Sequence, residues 1–466
     1  MRNVRKVLGG STIVAFATVL ALAGCGSSAS STDAPADGST AAEEAAETKD
    51  AATLKAEERQ AKAAEARHWR ASEEVEESTA TYTTIDENGN TVESTNTSTR
   101  TTTYEFDDKG NAANKVEKEF IDWGDSTTTV ETTTTYTRDD NGWPTKVEEV
   151  KTTSYEYPDG NGGTTGHSED PETSEVTYTY EYDDSGRVTK VTSTDENASN
   201  FEFAYNESGK LAAMNDTTSY PTFSEDGEEK RVTSTSANEY NDLGILTRQT
   251  YSTVGEEHSK QHDAEYLYDD IGNMLSAVHT YTYDDDSQGT ETRTYAIEKN
   301  EDGFVTKVTV TVEGDGKYIN ERWGNDSTIE EVIMPDGSVQ ATICSYNDNG
   351  ERVAGDTQTY EGPYCVTEYT YDEQGNQLSY VNTYYDGSVE KGAFAYDDNG
   401  NKTKESYTSY DGSTTTYTYT YDENDVQTSM QVENDDFTAK HTYTNTYFEE
   451  ISACRELSDY VGYWLR

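Results

Sequence analysis

Hydrophobic residues make up only 32% of this 466-residue chain, against roughly 45–50% in an ordinary soluble domain. That shortage argues for excluding a polytopic membrane protein and against a dense Ile/Leu/Val core. Basic residues are scarce too. The 35 Lys and Arg face 91 Asp and Glu, giving a formal net charge of −56. An acidic surface repels phosphate backbones, so no nucleic acid is expected as a partner. Familiar catalytic motifs are missing: Gly-x-Ser-x-Gly, a phosphate-binding glycine loop and a dinucleotide fingerprint are all absent. A non-catalytic protein without a cofactor is expected. Carboxylate pairs of the glycosidase kind carry no information here, because 91 acids place pairs everywhere.

Tyrosine is the excess: 36 Tyr against 10 Phe and 5 Trp. The polar balance alone would suggest disorder, but this supply of large rings argues against it for most of the chain. From Thr81 onward Thr and Tyr alternate, as in Tyr178-Thr179-Tyr180-Glu181-Tyr182 and Tyr417-Thr418-Tyr419-Thr420-Tyr421. Period two in β-branched and aromatic residues is a strand signal. Each run ends in an acidic turn closed by glycine, best kept at Gly186, Gly272, Gly375 and Gly400, and the turn positions Gly350, Gly375, Gly400 and Asp425 are 25 residues apart. A fixed period of this size means a repeat architecture.

The turns also set a register. An acidic start and a closing Gly suit a type I turn followed by a left-handed Gly. Pairing Asp183 with Arg187 then places Tyr182 opposite Val188. The same rule sets Tyr205 against Leu211, Tyr240 against Leu246, Tyr268 against Met274, Tyr371 against Gln377 and Tyr396 against Lys402. Between these turns, Asp386-Gly387 and Asp411-Gly412 read as tight two-residue hairpins. Alternating the two turns gives strands of about nine or ten residues, roughly 30 Å long. By parity Tyr369, Tyr371, Tyr396, Tyr417, Tyr419 and Tyr421 share one aromatic face. Thr416, Thr418 and Thr420 lie on a polar one, with Leu378, Tyr380, Tyr384 and Tyr407 as exceptions.

The start of the chain differs. Arg2, Arg5 and Lys6 precede an apolar run from Thr12 to Leu22, which reads as an export signal over 1–24. Leu22-Ala23-Gly24-Cys25 resembles the lipobox of bacterial lipoproteins. The resemblance implies acylation of Cys25 and attachment to the cell membrane through that lipid. Residues 25–50 read as a disordered tether. Residues 51–78 read as a short helical stalk, with Glu58–Lys62 and Arg70–Glu74 as opposite charges four apart.

The best-kept units, such as Tyr180 through Lys190, resemble the YD repeats of the Rhs and teneurin-like families. That resemblance implies β-hairpin repeats over 79–437 that coil into an elongated curled sheet or shell. The toxin-delivery core motif is not there, since Asp170-Pro171 is followed by Glu172. Residues 438–466 are expected to cap the last repeat.

Other chemistry is weakly signalled. His258 and His262 are four apart, but their flanks read as a solvated loop rather than a zinc site. Asp284-Asp285-Asp286 opens like a calcium loop, yet its twelfth position is Tyr295. No metal is expected. Cys344, Cys365 and Cys454 leave a disulfide open, with one thiol over in any pairing. The expected function is an extracytoplasmic, lipid-anchored spacer or adhesion module meeting a glycan or protein ligand through its aromatic sheet. The alternatives are a glycan-active or glycan-binding protein and a remnant of an Rhs-type toxin system.

Overall fold

The hairpin turns explain most of the architecture. In this computed structural model, Asp183 N–H donates to Arg187 O (3.0 Å) and Gly186 N–H to Asp183 O (2.9 Å). The same pair of bonds recurs at Asn206, Asn241, Asp269, Asn300, Asp372, Asp397 and Asp422. Gly186 has φ +79, the left-handed conformation the turn requires. In the last copy Asp425 takes that place at φ 61, the sole non-glycine positive φ among the described residues. The starter's side chain serves its own turn: Asp372 Oδ1 accepts from the backbone of Gln374 and Asn376, and Oδ2 from Asn376 Nδ2. All six expected aromatic pairings occur, each one residue past a β-bulge.

The second turn type differs from the expected one. Tyr384 N–H donates to Ser388 O and Gly387 N–H to Tyr384 O, and Ser409–Ser413 repeats this. Only the glycine has positive φ, so these are type I turns with a bulge, like the others. The bulges between Thr370 and Tyr371 and between Ala395 and Tyr396, beside the first turn type, shift the parity. Tyr380 pairs with Tyr369, Tyr384 with Cys365, and Tyr407 lies one step from Glu405, opposite Gly392. These three rings therefore belong to the aromatic face.

The structure describes residues 49–449, apart from 86–90, 125, 159–163, 224–228, 243, 255–258, 270–271, 283–287, 317–318, 324–326 and 347–351. The lipobox residues Leu22, Ala23, Gly24 and Cys25, together with His258, Asp284 and Cys454, lie outside them. Helix Ala51–Ala66 starts at an Asp50 cap, whose side chain accepts from Thr53 N–H. The expected stalk to residue 78 stops short, because Trp69–Ile85 is already a strand. The strand signal of Thr79–Thr84 simply extends backwards through Glu73–Ser78, against the helix propensity of its Glu residues.

The sheet closes on itself. Strand Phe437–Tyr447, within the expected cap, pairs antiparallel with Trp69–Ile85 from Tyr447↔Trp69 to Phe437↔Ala80. With hairpin-to-hairpin pairing everywhere else, the result is a 22-strand antiparallel barrel. The elongated, open curled sheet expected from the repeats is thus corrected to a closed ring, which leaves neither end strand exposed. Two additions sit outside the ring. Strand Thr164–Ser168 lengthens one hairpin. Four strands between Ile319 and Tyr360 form their own sheet, docked through Gly314 N–H to Met334 O (3.2 Å) and a Val312–Ile333–Val339 cluster.

Candidate functional site: the lumen wall

Helix Ala51–Ala66 shows which face is inside. Ala52 N–H donates to Asp302 O, Arg59 to Gly375 O (3.4 Å) and Lys62 to Asn399 O (2.5 Å), while His68 O accepts from Phe448 N–H. These partners follow the barrel rim across eight strands, about 36 Å along a flat ladder at ~4.8 Å per step. The chain from Ala52 to His68 spans at most about 28 Å. The helix is therefore a chord on the concave side. It lies against Phe304, Tyr369 and Tyr371, which places the aromatic face inside. A ring of 22 strands far exceeds the eight whose side chains fill a barrel. Two inward rings, Tyr220 and Tyr251, remain 38% and 42% exposed, as expected for a wall lining a wet lumen.

Two ways of covering that wall occur. Around Trp143 the wall is apolar: Val188, Val191, Phe201, Phe203, Leu211 and Met214 are buried together. From Tyr369 to Tyr421 it is phenolic. Tyr371 OH donates to Val305 O (2.8 Å), Tyr396 OH to Gln377 O (3.0 Å) and Tyr421 OH to Lys402 O (2.8 Å). Tyr205 does the same to Val188 O. In each case the acceptor begins the strand after the preceding hairpin's turn, so the motif Tyr staples its hairpin to the one before. Phe has no hydroxyl for this, which accounts for the preference for Tyr. Burial pushes the Tyr371 phenol up to about 12, so it stays a donor.

Buried acids are held by phenols. Glu405 accepts from Tyr407 (2.9 Å), Tyr419 and Lys402 Nζ (2.7 Å). Burial pushes its carboxyl up, but these hydrogen bonds outweigh that and hold it below its ordinary value. Glu331, 1% exposed, accepts from Tyr364 and Tyr385. Tyr369, Tyr371, Tyr396, Tyr417, Tyr419 and Tyr421 all line the inner wall. Gly186, Gly272, Gly375 and Gly400 sit in hairpin turns, each with positive φ.

The outer face carries charge. Ladder neighbours pair as Lys118–Glu131 (3.5 Å), Lys190–Glu202 (3.2 Å), Arg248–Asp263 (2.8 Å) and Lys307–Glu298 (3.2 Å), amid Thr rows such as Thr416–Thr418–Thr420. The expected adhesion surface is thereby corrected. The rings between Tyr369 and Tyr421 point inward, and a macromolecule approaching the sheet meets Thr, Lys and Glu with scattered apolar side chains such as Phe120, Leu267 and Val278.

His262 lies beside His279 on the next strand, Nε2 to Nδ1 at 3.0 Å. Glu291, opposite His279, belongs to no sequence motif, and only the ladder brings the three together. Cys344 and Cys365 are both buried, and the Cys344 thiol donates to Glu330 Oε2 (3.6 Å).

No family model matches the chain, and no curated protein does. Similar solved structures include a porin-like protein from Bacteroides uniformis ATCC 8492, at 14% identity over 58% of this chain and 96% of that one, with a TM-score of 0.23. Pseudomonas putida OprB at low pH is similar at 7% identity over 82% and 93%, with a TM-score of 0.20. Superpositions this loose carry no argument about function. The identification as a lipoprotein with YD repeats is not sustained: no such family is found, and the hairpins close into a barrel.

Proposed function

We propose that the protein acts through its lumen, as a channel-type compartment admitting and holding cationic solutes in an extracytoplasmic space. The observation that carries this reading is closure between Trp69–Ile85 and Phe437–Tyr447. Closure turns the Tyr and Glu side chains inward and the ion-paired ladders outward. Ring faces and carboxylates both attract cations, and the net charge of −56 draws them from solution.

Cysteine placed at Tyr251, inside, and at Thr418, outside, tests it with small cationic and anionic thiol reagents. The inner site should prefer the cationic reagent by at least about tenfold and resist a bulky polymer maleimide; the outer site should accept both sizes. Equal access for the polymer at both positions would end the lumen reading.

A membrane-spanning channel is the second reading, favoured by the even strand number and hairpin-by-hairpin meander. Outward Lys and Arg stand against it, since each costs about 2–4 kcal/mol at a bilayer midplane. Monodispersity without detergent together with silence in planar bilayers supports the water-facing barrel. Detergent-dependent solubility with single-channel conductance supports the other.

A further inference from the structure

Glu291 is a buried carboxylate with one oxygen unaccounted for. The residue is 1% exposed. Its Oε1 pairs with Arg293 Nε, while Oε2 is buried without a hydrogen-bond partner. An unsatisfied buried acceptor is costly, and in native structures it calls for a specific reason.

The neighbouring strand supplies one. His279 stands directly across the ladder from Glu291. On its other side, His279 Nδ1 meets His262 Nε2 at 3.0 Å. The two rings are nearly coplanar, 9° apart, with centroids at 5.3 Å. That separation exceeds the N···N distance by about two ring radii, so the imidazoles lie end to end. With Nδ1 engaged by His262, Nε2 is the nitrogen of His279 left for a further partner. Tyr281 stacks on His262 at 4.5 Å and Tyr266 meets His279 edge-on at 6.0 Å, which fixes both imidazoles in place.

We propose that His279 Nε2 and Glu291 Oε2 together form a binding site for a borderline divalent transition-metal ion, Zn²⁺ being the type, with His262 as a positioning residue. The donor set selects the ion: one imidazole nitrogen with one carboxylate oxygen suits Zn²⁺, Ni²⁺ or Cu²⁺ and disfavours Ca²⁺ and Mg²⁺. An imidazole whose second nitrogen is hydrogen-bonded in the next shell is the common arrangement of a metal-bound His. Arg293 remains on Oε1 and leaves Oε2 to the metal. Among the described residues no set of three or more His, Cys, Asp or Glu ligands is preassembled. Two protein ligands leave the remaining positions to water, and a micromolar rather than structural affinity follows. The site does not depend on what the lumen carries.

The full chain, stripped of metal with a chelator, is titrated with Zn²⁺ by calorimetry and with Co²⁺ by visible absorption at moderate salt. One site with a Co²⁺ ligand-field band is expected. Glu291→Gln and His279→Gln should abolish the band, and His262→Ala should weaken binding by about 10–100-fold. His441→Gln, which alters a separate His–Glu pair, should leave it unchanged, and Ca²⁺ should give no heat at this site. Should Glu291→Gln fail to fold without its Arg293 partner, His279→Gln and His262→Ala decide the matter, since neither removes an ion pair. Absence of the band in the wild type, or a band that survives His279→Gln, overturns the proposal. Retained solute selectivity at Tyr251→Cys alongside a missing band would remove the metal site while leaving the lumen reading intact.

Discussion

The same hairpin turns support two different walls. Around Trp143 the inner face is sealed by buried aliphatic and aromatic side chains. Between Tyr369 and Tyr421 it is held by phenols that donate to backbone carbonyls and to Glu405. The first wall gains from area removed from water, which is non-directional. The second gains from directed bonds that fix neighbouring hairpins in register. A chain only 32% hydrophobic cannot line a whole barrel the first way. The comparison teaches that Tyr here serves as a structural joint across most of the ring.

Trp143→Ala should produce the largest effect. The ring is 2% exposed, and its loss should cost about 3–5 kcal/mol, read as a fall in denaturant midpoint. If the two walls were equivalent, Tyr371→Phe would cost as much. It is expected to cost only about 1 kcal/mol, one net hydrogen bond. Gly186→Ala should fall between them at about 1–2 kcal/mol, because φ +79 is strained for any residue with a Cβ.

Acid should discriminate the walls next. Glu405 sits below its ordinary value of 4.5, so its contribution is complete above that pH and is lost as pH falls through the depressed folded value. His279 acts in the same direction. Pushed from 6.5 to about 4, it leaves the unfolded chain binding more protons between those values, so stability drops as pH falls through that window. In Glu405→Gln the decline of melting temperature below pH 4.5 should be shallower, while Trp143→Ala should leave its slope unchanged.

Salt should act on both walls alike. With a net charge of −56, screening of self-repulsion outweighs the loss of exposed ion pairs, each worth about 0–1 kcal/mol. Melting temperature should rise by a few degrees, about 1 kcal/mol, between low and moderate ionic strength; a flat response would refute the electrostatic argument. Asp425→Gly should do least. It relieves a φ of 61 but removes the acceptor for Asn399 and Asn401, so the terms, each about 1 kcal/mol, nearly cancel.

Hairpin register was legible because it is local. Five residues from Asp183 to Arg187 set the turn, and the turn sets Tyr182 against Val188. The two-residue reading of Asp386-Gly387 failed on a local point as well, since Gly387 alone takes positive φ; the bulges beside Tyr371 and Tyr396 carry Tyr380 and Tyr407 to the aromatic side. The His262–His279–Glu291 row could not be read from the sequence: His262 stood out only by its spacing from His258, His279 and Glu291 lie in no motif, and the ladder joins the three across intervening turns.

By itself, the amino-acid order determined that this chain is β, where its turns fall and which Tyr stand together, because those properties come from neighbours a few residues apart. Tertiary structure alone decided that Phe437–Tyr447 meets Trp69–Ile85, and hence that the rings face a lumen rather than a partner. No turn joins those two strands. Their pairing becomes favourable only after every hairpin between them has added its twist and brought two distant edges within hydrogen-bonding reach.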